Sequence, residues 1–231
     1  MRLSHLSALL VLGGVLSLGG CVSMQPSQFY QLQSGASALP TAQDGAAVLL
    51  GPVNLADYLK RETLVQRLAD GSLKMDGGLR WAGSLEDDVS RVLLRQLAGE
   101  LDTSRLALYP DRVGFTPDAQ ILLDIARLDS GPTEPAVLEA HWRLLDGSGR
   151  MRDSQVVRLQ ASHDGSVAGQ VRAQSELLRQ LSESLAGAVR PVVVKRPAEP
   201  RRPVAKAPEK PAEQGVRKPG PVRTEMEVFR F

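Results

Sequence analysis

Histidine and cysteine are scarce in this 231-residue chain, with three of the first and one of the second. A lone cysteine, Cys21, allows no internal disulfide and no cysteine-based metal cluster. Neither a Gly-x-Ser-x-Gly elbow nor a His-Glu-x-x-His run is present, so two common hydrolase arrangements are missing. Ser162-His163-Asp164 contains the residue types of a catalytic triad. Adjacent residues cannot line up as nucleophile, base and orienter, so it reads as a turn. His141 reads as a solvated strand residue. Aromatics make up 4% of the chain, which offers few platforms for stacking bases. These gaps predict a protein that is not an enzyme, holds no cofactor or metal and binds no nucleic acid.

Charge is divided unevenly. Residues 21–194 carry 17 Lys/Arg and 21 Asp/Glu, a net of −4, while residues 195–231 carry 10 and 5, a net of +5. An acidic body lacks the basic patch of a nucleic-acid surface. Pro alternates with Lys, Arg, Glu and Ala from Lys195 to Gly220. That composition cannot bury a core, so 193–231 is expected to be a disordered basic tail. Its last residues, with Met226, Val228, Phe229 and Phe231, read either as a docking segment or as a chance apolar end.

The long apolar run lies at the other end. Met1-Arg2 is followed by a stretch from Leu6 to Leu18 broken only by Ser, Gly and Ala. This is shorter than the ~20 residues of a membrane-spanning helix and fits an export signal. It closes on Leu18-Gly19-Gly20-Cys21, the pattern of a bacterial lipobox. Residues 1–20 are therefore predicted to be removed and Cys21 to carry lipid, with 21–28 as a tether. Several acyl chains anchor firmly, since each buried CH₂ contributes about 0.8 kcal/mol. Val22-Ser23 after the cysteine, without an Asp, points to the outer membrane with the body in the periplasm.

Between tether and tail the patterning predicts an α+β domain. A short β-like run covers 29–32. Ala46 to Leu55 reads as a buried strand, with Val48, Leu49, Leu50, Val53 and Leu55 forming an almost continuous apolar run. Strands are expected at 63–68 and 72–75 around an Asp70-Gly71 turn, and a short one near 106–109. Alternating patterns follow at 119–128, 137–145 and 155–161. They predict a mostly antiparallel or mixed sheet with one face buried. In the second of them Leu138, Ala140, Trp142 and Leu144 point inward. Asp146-Gly147-Ser148-Gly149 is a hairpin turn, since it lacks the Lys of a phosphate loop.

Two amphipathic helices complete the set. Ser84 caps the first, with Glu86, Asp87 and Asp88 at the positive end of its dipole. Val89, Val92, Leu93, Leu97 and Leu101 form its apolar stripe. The second runs from Ser166 to Val189 with Val171, Leu178, Leu181, Leu185 and Ala188 inward and its Gln, Ser, Arg and Glu outward. Arg190-Pro191 ends it. Trp81, just ahead of the first helix, and Trp142 are both expected to be buried.

Several of these segments together resemble a known family. They are Phe29-Tyr30-Gln31-Leu32, then Val53-Asn54-Leu55-Ala56-Asp57-Tyr58-Leu59-Lys60-Arg61 with Val65 and Arg67, then Arg80-Trp81-Ala82-Gly83-Ser84-Leu85. Over residues 29–190 the chain is similar to the PqiC (YmbA) family, auxiliary lipoproteins of MCE-type ABC lipid transporters. It departs from the family pattern at Ala56, Lys60, Glu62-Thr63 and Gly83-Ser84. The resemblance implies a non-enzymatic outer-membrane lipoprotein that meets a periplasmic tunnel built by an MCE-domain protein. A ring-like homo-oligomer would suit such a partner. The basic tail leaves a second reading open, a scaffold that binds peptidoglycan or another envelope component.

Overall fold

The computed structural model describes residues 26–193, apart from 36–38, 43–44 and 112–113. The signal segment, Cys21 and the tail from 194 onward lie outside the described residues. Eight strands and two helices follow in the order β1 Gln28–Tyr30, β2 Val48–Leu55, β3 Thr63–Arg67, β4 Leu73–Trp81, α1 Leu85–Glu100, β5 Leu106–Leu108, β6 Ala119–Asp129, β7 Ala136–Asp146, β8 Met151–Ala161 and α2 Val167–Val189. A single 3-10 turn, Asp57–Leu59, sits between β2 and β3.

The strands form two sheets. One has five strands in the order β5-β2-β6-β7-β8 and the other has three in the order β1-β4-β3. The α+β expectation holds, and the larger sheet is mixed. β6, β7 and β8 form an antiparallel meander, while β2 runs parallel to both β5 and β6. Val48, Leu49 and Leu50 are each fully buried; Val48, Leu50 and Leu55 join the core cluster, and the strand meets solvent only toward its end, where Asn54 is exposed. Pro52 is accommodated because the β2–β6 register slips between Leu50 and Val53. A proline is tolerated at such an irregularity, since no ladder bond depends on its missing N–H.

Both helices lie on one face of the large sheet. α1 packs on β2 and β5, α2 packs on β7, β8 and β6, and the two helices touch each other. The inward alternation read from 137–145 is correct: Leu138, Ala140, Trp142 and Leu144 join the core with α1 and α2. Trp81 and Trp142 are both buried. The other face is polar and cross-linked along the pleat. Asn54 Nδ2 donates to Asp124 at 2.8 Å, and Arg158 meets Glu139, its directly opposite neighbour, at 3.1 Å.

Local chemistry accounts for the element ends. Ser84 accepts from the Asp87 amide at 3.3 Å, and Ser166 accepts from the Gly169 amide at 3.0 Å. Asp70-Gly71-Ser72, Asp146-Gly147-Ser148 and Asp164-Gly165-Ser166 share one device. In each, the Asp Oδ1 accepts from the Ser amide and from its hydroxyl. These bonds hold all three carboxylates below the ordinary range. In the first turn Gly71 takes φ +84°, as its glycine identity foretold.

Three expectations need correction. β4 runs from Leu73 to Trp81 and β8 from Met151 to Ala161, both longer than their apolar patterns suggested. The residues added to β8, 151–154, are exposed, so pairing there extends where side-chain burial gives no signal; those added to β4 pass from exposed at 76–77 to buried at Trp81, with two glycines breaking the pattern between. The polar face assigned to α2 is partly wrong. Gln170, Gln174, Ser175 and Ser182 are buried, while Ala188 is only half-buried. The first three are kept inside by hydrogen bonds to partners from elsewhere in the chain. Asp88 does more than face the helix dipole. It is buried and accepts from the Leu32 amide at 2.8 Å and from Gln31 Nε2 at 3.3 Å, fastening the N-terminal segment to α1.

Candidate functional site

The segment Ala56–Arg67 carries much of the family-like pattern, and its geometry shows what those residues do. β2 ends at Leu55, and the Ala56 amide bonds to the Ile125 carbonyl at 2.9 Å. The 3-10 turn then directs two side chains inward. Leu59 enters the core, 3% exposed, and Tyr58 reaches the end of β6, where its hydroxyl donates to Asp129 Oδ2 at 2.7 Å.

Asp129 is fully buried and is the centre of an ion cluster. Arg67, at the end of β3, donates Nη2 to Oδ2 at 2.7 Å and Nε to both oxygens at 3.1 Å. Arg127 Nε donates to Oδ1 at 2.8 Å. The Arg67 guanidinium also lies 5.9 Å from the centre of the Tyr58 ring, within cation–π range. A buried carboxylate is tolerated when its lone pairs are filled and its charge is matched; here two cations and a phenol meet both conditions.

Behind the cluster lies a buried amide network. Gln66 Nε2 donates to Gln170 Oε1 at 2.9 Å, and Gln174 Nε2 donates to Ser130 Oγ at 3.1 Å. The Arg67 amide donates to the Ser130 carbonyl at 2.8 Å. This joins the small sheet to the large one through a Gln66–Ser130 bridge. Gly131 permits the approach: a Cβ there would come within 1.8 Å of the Arg67 carbonyl oxygen.

Electrostatics make the cluster a lock rather than a reactive centre. Burial pushes the Asp129 carboxyl up, but hydrogen bonds from Arg67, Tyr58 and Arg127 more than offset it, leaving it below the ordinary range. The Tyr58 phenol is pushed up to about 12 by burial and then by its bond to Asp129 and that residue's charge. Arg67 is raised by its bond to Asp129. A general acid or base works best with a pKa near the working pH, and both Asp129 and Tyr58 are driven away from neutrality.

The histidines are placed apart from this cluster. His141 lies on the polar sheet face with Nε2 2.9 Å from Ser154 Oγ. His163 Nδ1 accepts from the Gly165 amide at 3.0 Å and Nε2 faces the Glu134 carbonyl at 2.9 Å. Both ring nitrogens of His163 are thereby occupied in holding the β8–α2 loop, and Asp164 turns to Ser166 instead. Among the described residues no group of three or more His, Cys, Asp and Glu is placed to hold a metal. No described helix is long and apolar enough to cross a membrane.

An open groove of about 610 Å³ is lined by Phe29, Lys60, Arg61, Arg80, Trp81 and neighbours at the start of α1. Arg80 pairs with Glu62 on its lining. The sequence singled out Tyr58, Arg67 and Trp81 by resemblance. It missed Asp129, Arg127 and Gly131, whose neighbours in the chain give no sign of a buried charge.

Comparison with known proteins agrees with this architecture. A solved structure of an uncharacterized protein superimposes with a TM-score of 0.59 at 16% identity, covering 71% of this chain and 99% of its own. A Xanthomonas campestris protein of the DUF330 family gives 0.59 at 17% identity, covering 72% and 96%. At such identities these likenesses concern the fold. No curated protein matches the chain. The model of the ABC-type transport auxiliary lipoprotein component family matches residues 30–186. That span runs from the end of β1 to the last turns of α2 and includes the whole Asp129 lock, so the chain belongs to the ABC-type transport auxiliary lipoprotein component family.

Proposed function

We propose that this protein is an outer-membrane lipoprotein, acylated at Cys21, that serves as a non-enzymatic auxiliary subunit of an MCE-type ABC lipid transport system and helps maintain the envelope. Membership of the transport auxiliary family across residues 30–186 is the observation that carries the reading. The lipobox at Leu18–Cys21 supports the anchor, and Val22-Ser23 supports the outer membrane. The domain beyond it is a body whose most buried ionic cluster is locked in structural bonds, which suits docking rather than chemistry. In this reading the body meets the periplasmic end of a tunnel made by an MCE-domain protein, and several copies arranged in a ring would match a tunnel's symmetry.

The net +5 of residues 195–231 favours one other reading, a scaffold that holds an envelope polymer such as peptidoglycan through the tail. Crosslinking in intact cells, followed by purification from membranes and identification of the partner, separates the two. Recovery of an MCE-domain protein by a chain lacking 195–231 supports the transport reading. Failure of that truncated chain to bind, with retention of peptidoglycan by the tail, supports the scaffold.

A further inference from the structure

The groove at the start of α1 has an exposed aromatic residue and an unpaired cation on its lining, and the aromatic lies close to the anchor in sequence. We propose that the surface around Phe29 and Arg61 rests on the phospholipid headgroups of the membrane that holds Cys21. The inference rests on the anchoring through Cys21 proposed above.

Chain length sets the distance. Phe29 lies eight residues beyond Cys21, so even a fully extended connection reaches only about 27 Å at roughly 3.4 Å per residue. β1 is thus the first element held near the bilayer. β1 pairs in parallel with β4, setting Phe29 opposite Arg80 and Tyr30 opposite Trp81. Successive residues of a strand point to opposite sides. Tyr30 packs against the core, so Phe29 points away and is 63% exposed, the most exposed aromatic among the described residues. The β1–β4 pairing holds it out.

The cations lie on the same lining. Arg80 is taken by Glu62, and Lys60 has a 3.6 Å contact with the exposed Asp57. Arg61 is exposed, and among the described residues its side chain has no ion-pair partner. An aromatic ring beside an unpaired guanidinium suits the headgroup zone of a bilayer, where rings sit at the interface and cations meet phosphates. A lipid on Cys21 holds the protein at the membrane without orienting it. A Phe–Arg contact adds a weak second attachment at high local concentration and would turn one chosen face of the body toward the lipid.

The test uses the mature lipidated protein reconstituted in vesicles of phosphatidylethanolamine and phosphatidylglycerol, with and without bromine on the acyl chains. Trp81 and Trp142 are buried, 6% and 1% exposed, so a tryptophan placed at the surface reports separately. Emission from Phe29→Trp is expected to be quenched by the brominated chains. Emission from Val156→Trp, at a site 77% exposed on β8, is expected to escape. No quenching at Phe29→Trp, or equal quenching at both positions, overturns the proposal. Arg61→Gln in the Phe29→Trp chain is expected to lower affinity for anionic vesicles about fivefold, read by sedimentation of the unlipidated mature chain; an unchanged affinity removes Arg61 from the contact. The intact mass of the same preparation reports acylation of Cys21, so failure of the anchor is seen separately from failure of this surface.

Discussion

Tyr58 donates a 2.7 Å hydrogen bond to the carboxylate of Asp129, a residue 71 positions further along the chain. That bond ties the connection between β2 and β3 to the end of β6. Losing a hydrogen bond to a buried charged acceptor costs ~1.5–3 kcal/mol, so Tyr58→Phe should lower stability by that amount in a urea titration. Asp129→Ala leaves Arg67 and Arg127 without their shared partner and should cost more, about 3–5 kcal/mol. An Asp129→Ala chain as stable as the parent would show that the lock carries no energetic weight.

The same lock predicts a dependence on pH. The folded Asp129 carboxyl titrates below its unfolded value of about 3.9. Its contribution is therefore present above that pH and is lost as pH falls through the lower folded value. Tyr58 has the opposite sign. Its folded value of about 12 exceeds the unfolded 10.0, so its contribution is complete below 10.0 and disappears as pH rises toward 12. Denaturation of the parent and of Asp129→Asn should differ by less at pH values under ~3.9 than at neutrality.

Gly131→Ala tests the close contact behind Arg67. A methyl 1.8 Å from a carbonyl oxygen forces the backbone to move, and such overpacking costs about 1–3 kcal/mol. The loss should appear in thermal denaturation. If the lock is the part disturbed, combining Gly131→Ala with Asp129→Asn should cost less than the sum of the two.

Trp142 lies in the core, directly opposite Leu123 of β6, and is 1% exposed. Trp142→Ala should cost ~3–5 kcal/mol. Val156→Ala on the polar face should stay within about 0.5 kcal/mol of the parent. Equal melting temperatures for the two variants would reverse the assignment of the faces.

Lipidation is checked at the mature amino terminus. Mass spectrometry should find acylated Cys21 as the first residue, and Cys21→Ser should leave an unprocessed or unanchored chain. A mature start at any other residue removes the anchor. Limited proteolysis should trim the basic segment beyond 193 while sparing α1, Leu85–Glu100; early cleavage inside that helix would contradict the expected boundary.

Local signals were enough for much of this protein. Ser84 announces its helix because an N-cap needs only its own hydroxyl and an amide three residues ahead. The inward set Leu138, Ala140, Trp142 and Leu144 was legible because alternation is a property of a single strand. Other features depend on which segments meet. Nothing near Gln28–Tyr30 says that it pairs in parallel with Leu79–Trp81. Gln170 and Gln174 look like surface residues of an amphipathic helix until Gln66 and Ser130 arrive opposite them. Asp129 reads as an ordinary strand-end carboxylate. Arg127 is its neighbour on β6, but only the folding of β3 and the 3-10 turn onto β6 adds Arg67 and Tyr58, because burying a charge requires more partners than the local sequence supplies.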